Sequence, residues 1–170
     1  MVDYKYLGVY LDNKLNWARN TEALYKKGQS RLYFLRRLRS FNVCRKMLQM
    51  FYESVVAGAF LFAVVCWGSG LRASDANRLQ KLVKKASSIV GVELGSLKSV
   101  AERRMRTRLR AIQDSVSHPL HNVLANQRST FSARYRQLTC STDRHRKSFL
   151  PAAIKLYNSS LRESDNLTQY

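Results

Sequence analysis

The stretch NTEALYKKGQSRLYFLRRLR, Asn20 to Arg39, decides the fold class because its apolar residues recur at the spacing of an α-helix. One face carries apolar or small residues, which are Leu24, Gly28, Leu32, Leu35 and Leu38. Cations crowd the remaining surface, and these are Lys26, Lys27, Arg31, Arg36, Arg37 and Arg39. Asn20 and Thr21 predict a polar cap, and Glu22 is expected to complement the helix dipole in the first turn. The stretch therefore predicts a helix that is leucine-lined inside and basic outside.

An apolar run follows the interruption at Ser40–Asn42. The segment from about Val43 to Cys66 predicts a second helix, whose charged residues all precede the run VVAGAFLFAVVCW. That run has thirteen residues without a charge, Val55 to Trp67. A membrane-spanning helix needs about 20 such residues. We therefore expect a buried helix and no membrane partner.

Two further basic helices are predicted downstream. One runs from Ala76 to about Val90 with a cap at Ser74–Asp75, and the other begins near a capping box formed by Ser99 and Glu102. The cations singled out on the first of these helices are Arg78, Lys81, Lys84 and Lys85, and those on the second are Arg103 and Arg104.

The N-terminal stretch YKYLGVYLDNK, Tyr4 to Lys14, predicts a β-strand followed by a turn. Its apolar and tyrosine side chains alternate along the chain, which is the period of a strand. Asp12–Lys14 has turn-forming chemistry, and a short second strand or an extended segment is expected over Leu15–Trp17.

These patterns predict a mainly α fold with a short N-terminal β-hairpin, a helical bundle and a weakly packed C-terminal segment. The predicted divisions are residues 1–19 for the hairpin, 20–70 for a helical pair, 71–116 for the basic helices and 117–170 for a weakly ordered basic segment. This last segment is short of aliphatic residues and regains amphipathic character only in a terminal helix over Leu150–Leu161.

The charge balance predicts a polyanionic partner. The chain has 30 Lys and Arg against 11 Asp and Glu, which gives a formal net charge of +19 and a pI near 10.4. Three cationic helices with few acids among them favour nucleic acid, because like charges repel one another unless phosphate relieves them. No residue pattern specifies base readout, so contacts with the backbone are expected.

No constellation of residues for catalysis is visible in the sequence. The acids are scattered, whereas two-metal chemistry needs clustered carboxylates. His118 and His121 are separated by a proline that disfavours a helical metal-binding pair, and no third ligand follows. We therefore expect no enzymatic activity, no metal and no cofactor.

The three cysteines predict neither a disulfide framework nor a zinc ribbon, because they are widely spaced and odd in number. They are Cys44, Cys66 and Cys140, and Cys66 is expected in the core because it lies in the apolar run. The N-terminal letters MVDYKY contain no apolar run and no cleavage site, so no secretory signal and an intracellular location are expected.

The chain resembles the C-terminal part of the reverse transcriptases of LINE-type non-LTR retrotransposons, particularly those abundant in fish genomes. The resemblance follows the ordered segments YKYLGVYLDNKLNW, LYKKGQSRLYFLRRLRSF and LQMFYESVVAGAFLFAVVCWGSG. It implies that Leu7, Gly8 and Val9 belong to a primer-grip-like hairpin that closes a palm domain lying upstream, and that the following helices form a thumb. It also implies RNA or an RNA–DNA hybrid as the partner. The catalytic Tyr/Phe-Ala-Asp-Asp motif is absent, so the resemblance implies a non-catalytic fragment.

The segment LGVYLDNKLNW with LYKKGQSRLYFLRRL is also similar to a domain family named for the N-terminus of an AlkB homologue, a tRNA-modifying oxygenase and methyltransferase. Such an oxygenase needs a His-x-Asp motif, and none of the three histidines has an Asp two residues on. The glycine-rich loop of a methyltransferase is missing too, so neither activity is expected. A third alternative is an oligomerisation or scaffold module, in which the apolar helix Val43–Cys66 docks on another protein.

Overall fold

The computed structural model describes residues 4–14 and 16–167, with side chains as far as residue 162. Its fold is mainly α with one short antiparallel hairpin, as the sequence predicts. The chain forms two compact units, one from Met1 to Val100 and one from Ala101 to Tyr170. The second unit therefore begins before residue 117, where the sequence composition predicts that the C-terminal segment 117–170 begins.

A hairpin rather than one continuous strand opens the first unit. β1 spans Tyr4–Tyr6 and β2 spans Val9–Leu11, and the two strands pair antiparallel. Leu7 and Gly8 form the turn at φ values of 45° and 84°, and two-residue hairpin turns need such positive values. The predicted single strand is wrong because alternation of side chains does not show where a strand folds back on itself.

The turn predicted at Asp12–Lys14 is confirmed, and the strand predicted after it is wrong. Asp12 Oδ1 accepts the backbone N–H of Lys14 at 3.0 Å and that of Asn16 at 2.7 Å. Asn16 and Trp17 lie in no strand and lead directly into the first helix, and Leu15 lies outside the described residues.

The first helix, α1, spans Ala18–Ser40. Its predicted inner face is confirmed, because the residues on it are buried or half-buried, namely Leu24, Gly28, Leu32, Leu35 and Leu38. Asn20 and Thr21 do not cap the helix but are buried in its first turn. Asn20 Oδ1 accepts the N–H of Tyr10 at 3.2 Å, and Thr21 Oγ1 donates to the carbonyl of Trp17 at 2.8 Å. Asn20 therefore ties the hairpin to the start of α1.

The helix predicted over Val43–Cys66 is interrupted twice. α2, Arg45–Phe51, passes through a π-helical turn, Tyr52–Ala57, into the short α3, Gly58–Phe60. The buried residues along it are spaced by four, and they are Leu48, Tyr52, Val56 and Phe60. A π-helical turn holds more residues than an α-helical turn, so this spacing of four stays on one side of the helix. The face of this segment that carries these four residues is thus packed inside the first unit, whereas Met47, Met50 and Phe62 of the same segment are exposed.

A break at Ala63 separates α3 from α4, Val64–Trp67, since Ala63 adopts a left-handed φ of 50°. No single helix among the described residues is long and apolar enough to cross a membrane. The pair Arg45–Phe60 and Val64–Gly70, bent by 46°, meets that test of length and composition when taken together.

The expected core position of Cys66 is wrong, because this side chain is exposed. Ala63 resets the direction of the helix, so that Val64 and Trp67 are buried and Cys66 faces outward. Cys44 is exposed as well and Cys140 is half-buried, and no disulfide joins any two of these three described cysteines.

The helix α5, Ala73–Val90, lies beside α1 and begins earlier than predicted, after Arg72. It runs parallel to α1, because Glu22, Gly28 and Arg39 of α1 meet successive points of α5. A Cβ atom at Gly28 would lie 2.7 Å from Leu82 Cδ1, a distance that real Cβ atoms do not show. The two helices therefore approach as closely as they do because residue 28 is glycine.

The second unit is built on the helices α6, Leu97–Asp114, which crosses the division between the units, α7, His121–Ala125, α8, Asp143–Arg146, and α9, Phe149–Leu167. Ser96 rather than the predicted Ser99 caps α6, since Ser96 Oγ accepts the N–H of Ser99 at 3.0 Å. A small core joins six buried residues, which are Leu109, Ile112, Leu124, Tyr135, Ala153 and Ile154.

Asn158 holds an irregular segment of the second unit against α9. Its Oδ1 accepts the backbone N–H of Tyr135 at 3.0 Å, and its Nδ2 donates to the Tyr135 carbonyl at 2.8 Å. The Tyr135 ring packs edge-to-face on Tyr157, with 5.2 Å between centroids. One side-chain amide thus serves both backbone groups of Tyr135, as a neighbouring strand would.

We expect Gly28→Ala to lower the free energy of unfolding of the first unit by about 1–3 kcal/mol, because the new methyl group displaces buried Leu82. Gly58→Ala is the matched control, since its Cβ would meet Glu53 O at 3.7 Å, an ordinary contact. The control should raise stability by up to about 1 kcal/mol through helix propensity. Urea denaturation followed by circular dichroism measures both, and an equal effect of the two substitutions would contradict the close approach.

We expect Asn158→Ala to destabilise the second unit by about 1–3 kcal/mol, because it leaves two backbone groups of Tyr135 without their partners. Hydrogen exchange at the Tyr135 amide should become faster. Ser159→Ala next to it removes an exposed hydroxyl and should change stability by less than about 0.5 kcal/mol. Unchanged exchange at Tyr135 in Asn158→Ala would contradict the role of Asn158.

Candidate functional site

Charged and aromatic side chains of α1 and α5 meet at the line between the two helices. Arg78, Lys81 and Lys85 share one side of α5 at i, i+3 and i+7 spacing, and Glu22, Tyr25 and Arg36 share one side of α1. Arg78 pairs with Glu22, and its guanidinium lies 3.9 Å from the centroid of the Tyr25 ring. Because the helices are parallel, Arg36 on α1 and Lys81 and Lys85 on α5 follow this contact in the same direction along the two helices. We name these six residues the α1–α5 seam.

Glu22 neutralises one end of the seam. Its carboxylate bonds Arg78 and lies 3.7 Å from Lys26 Nζ. The hydrogen bond from Arg78 is the main reason that the pKa of Glu22 falls below its usual value, and the charges of Arg78 and Lys26 add to it. The expectation that the cations stand clear of acids is therefore wrong for Lys26 and Arg78, and Glu22 forms these ion pairs beyond the first turn of α1.

The remaining predicted cations of the first unit keep their charges in solvent. In the part of the chain that the structure describes, none of them has a carboxylate within 4.0 Å and all are exposed, although Arg39 donates a hydrogen bond to a backbone carbonyl. Those without any such partner are Lys27, Arg31, Arg36, Arg37, Lys81, Lys84 and Lys85. Like charges are thus held together on two packed helices without acids to balance them.

Arg39 forms a hydrogen bond at the C-terminal end of α5. Its Nη1 donates to the Ile89 carbonyl at 2.8 Å, and the guanidinium of Arg45 lies beside Gly91, where α5 ends in a left-handed residue. Cations at the C-terminus of a helix complement its dipole and its unpaired carbonyls. The structure thus brings Arg39 to the end of α5. The other two predicted cations, Arg103 and Arg104, belong to the second unit.

The predicted primer-grip-like residues form the tip of the hairpin. Leu7 is 75% exposed in a left-handed conformation, and Val9 is half-buried. Gly8 sits over Phe62, whose ring would lie 3.8 Å from a Cβ atom at that position. The hairpin tip is therefore an exposed apolar turn that rests on the apolar segment after α2.

Aromatic rings lie among the cations of α1. Tyr33 and Phe34 are exposed and pack edge-to-face with 5.6 Å between centroids. Phe41, which the sequence interpretation missed as a surface residue, is also exposed, and the Arg37 guanidinium lies 5.4 Å from its ring centroid. Its position seven residues after Phe34 could have revealed it, since that spacing returns to the same side of a helix.

The histidines that could be drawn together as a metal site have structural partners instead. His118 Nδ1 accepts the N–H of Leu120 at 3.1 Å, and His121 Nδ1 bonds the carbonyl of Ile112 at 3.0 Å. Across the described ranges, no three His, Cys, Asp or Glu side chains are grouped as metal ligands.

Residues 17–57 match a family model described as "Alkylated DNA repair protein alkB homolog 8, N-terminal". The match covers α1, α2 and the π-helical turn, which is about a quarter of the chain. No curated protein matches the chain, and no solved structure does. These comparisons support the similarity to the AlkB-homologue N-terminal domain over that segment and give none to the similarity to reverse transcriptases.

We expect the ion pair between Glu22 and Arg78 to stabilise the first unit less as the pH falls. The lowered pKa of Glu22 means that its contribution is fully present above the ordinary carboxyl value near pH 4.5 and is lost as the pH falls through the lower, folded-state pKa. A double-mutant cycle with Glu22→Gln and Arg78→Gln, followed by urea denaturation, measures the coupling at pH 7 and at lower pH. A coupling that is the same at every pH would contradict the pairing.

Proposed function

We propose that the first unit binds the phosphodiester backbone of nucleic acid along the α1–α5 seam and catalyses no reaction itself. The observation that carries the proposal is the set of exposed cations on α1 and α5 with no carboxylate within 4.0 Å among the described residues. Phosphate groups are the natural counterions for such a surface, and their neutralisation releases condensed counterions from the nucleic acid.

The packing of the two helices supports the proposal. Gly28 lets α1 approach α5 so closely that Leu82 lies where a side chain would be. The cations of the seam cannot separate without breaking this core contact. Their mutual repulsion is therefore present in the free protein, and a polyanion relieves it without any change in the fold.

The family match supports a setting close to nucleic acid. The matched segment 17–57 contains all six cations predicted on α1, and the family is described as the N-terminal part of a DNA repair protein. The favoured alternative is accordingly a non-catalytic module of the type found at the N-terminus of that alkB homologue. Stoichiometric binding of iron or S-adenosylmethionine would instead favour an enzyme.

The retroelement interpretation makes the same surface part of a thumb that contacts a template–primer duplex of RNA and DNA. It rests on the sequence resemblance alone and requires a palm domain encoded upstream. The reading frame immediately before this chain tests it directly, because a palm coding region there would identify a polymerase fragment and unrelated exons would reject one.

We expect the variant Arg36→Gln/Lys81→Gln/Lys85→Gln to lower the salt dependence of binding to a labelled nucleic acid of about 20 nucleotides. Each lost phosphate contact reduces the slope of log K against log [salt] by about 0.7 for single strands and about 0.9 for duplexes. Fluorescence anisotropy between about 50 and 200 mM salt covers the range in which affinity falls steeply.

The matched control removes the same charge from the second unit, by Arg108→Gln/Arg110→Gln/Arg128→Gln, at three exposed positions. The control should keep the wild-type slope. Two results would overturn the proposal: no binding by the wild type at about 50 mM salt, or equal losses of slope in the two triple variants.

A further inference from the structure

Three aromatic rings on α1 and at the residue directly after it are exposed, and backbone binding does not explain their exposed faces. Tyr33 is 58% exposed, Phe34 47% and Phe41 68%. Phosphate contacts need cations and hydrogen-bond donors, and the rings of Phe34 and Phe41 supply neither, while Tyr33 has only its hydroxyl to donate. We name these three residues the ring patch.

The rings of this patch have open faces. In the edge-to-face pair of Tyr33 and Phe34, with 75° between planes, the ring that presents its edge leaves both of its faces uncovered by its partner. The guanidinium of Arg37 lies over one face of Phe41 and leaves the other. Each arrangement therefore leaves a flat apolar surface next to a cation.

The ring patch lies in the most one-sided charge environment of the chain. Between Glu22 and Glu53 the sequence contains eight Lys or Arg and no Asp or Glu. A neutral apolar partner protein would have to bury these cations without compensation, which is costly. A partner that stacks on the rings and also pairs with the cations needs flat aromatic groups attached to a phosphate backbone.

We propose that the ring patch stacks on unpaired bases, so that the first unit prefers single-stranded nucleic acid to a duplex. This inference rests on the proposed function. In a duplex the faces of the bases are covered by their neighbours, and a convex helix reaches only phosphates and groove edges. In a single strand the faces are open, and aromatic side chains beside a cationic track bind them with little dependence on sequence.

The test compares one labelled oligonucleotide as a single strand and as a duplex, by fluorescence anisotropy at fixed salt. The wild type should bind the single strand more tightly. The variant Tyr33→Leu/Phe34→Leu should weaken single-strand binding about 10-fold or more and leave duplex binding unchanged. Leucine has a higher helix propensity than either aromatic residue, so α1 is retained.

Phe131→Leu is the matched control, because Phe131 is 100% exposed and lies in the second unit. It should change neither affinity. Equal wild-type affinity for the two forms, or an equal loss in Phe131→Leu, would overturn the single-strand preference while salt-dependent backbone binding remained. Absence of salt-dependent binding to either form would overturn the proposed function itself.

Discussion

Leu82 occupies the space that a side chain at position 28 would need, and this contact sets the distance between α1 and α5. Two helices that approach so closely bring their surface side chains into shared rows. In the seam, three cations of α5, Arg78, Lys81 and Lys85, lie along a row of α1 that contains one acid, one tyrosine and one cation. The missing Cβ atom at residue 28 therefore sets how closely these four cations and Glu22 are held.

The parallel arrangement of α1 and α5 determines which of their arginines form contacts within the protein. Parallel helices place their N-termini together and their C-termini together, so that their dipoles add at each end. At one end Arg78 is paired with Glu22, and at the other Arg39 and Arg45 lie beside the last carbonyls and Gly91 of α5. The structural roles of the arginines are thus concentrated at the ends. The other cations of the seam, Arg36, Lys81 and Lys85, remain exposed.

The helices and their inner faces could be predicted because the apolar residues recur in the sequence with a period of 3.6 residues. Three features of the first unit could not be predicted. The hairpin turn at Leu7 lacks the Asn or Asp usual before the glycine, the break at Ala63 lies in an apolar run without Gly or Pro next to it, and the outward position of Cys66 follows from that break. Each depends on backbone conformations that the packing around them selects.

The candidate site was predictable to the same extent. The cations followed from composition, and the pairing of Lys26 with Glu22 from their spacing of four. The pairing of Arg78 with Glu22 joins residues 56 positions apart, so that it depends on the contact between α1 and α5. Sequence patterns show which residues share one face of a helix. They do not show which face of another helix packs against it.

The segment that matches the family model contains some of the residues proposed to bind nucleic acid but not all of them. Residues 17–57 include the whole ring patch and the α1 half of the seam, but none of the lysines of α5. The proposed stacking on unpaired bases would therefore depend on the matched segment alone. The proposed backbone binding would require α5 in addition, because Arg78, Lys81, Lys84 and Lys85 lie on that helix. The matched segment without α5 would keep its rings and lose the close contact at Gly28, so the two proposed modes of binding can be tested separately.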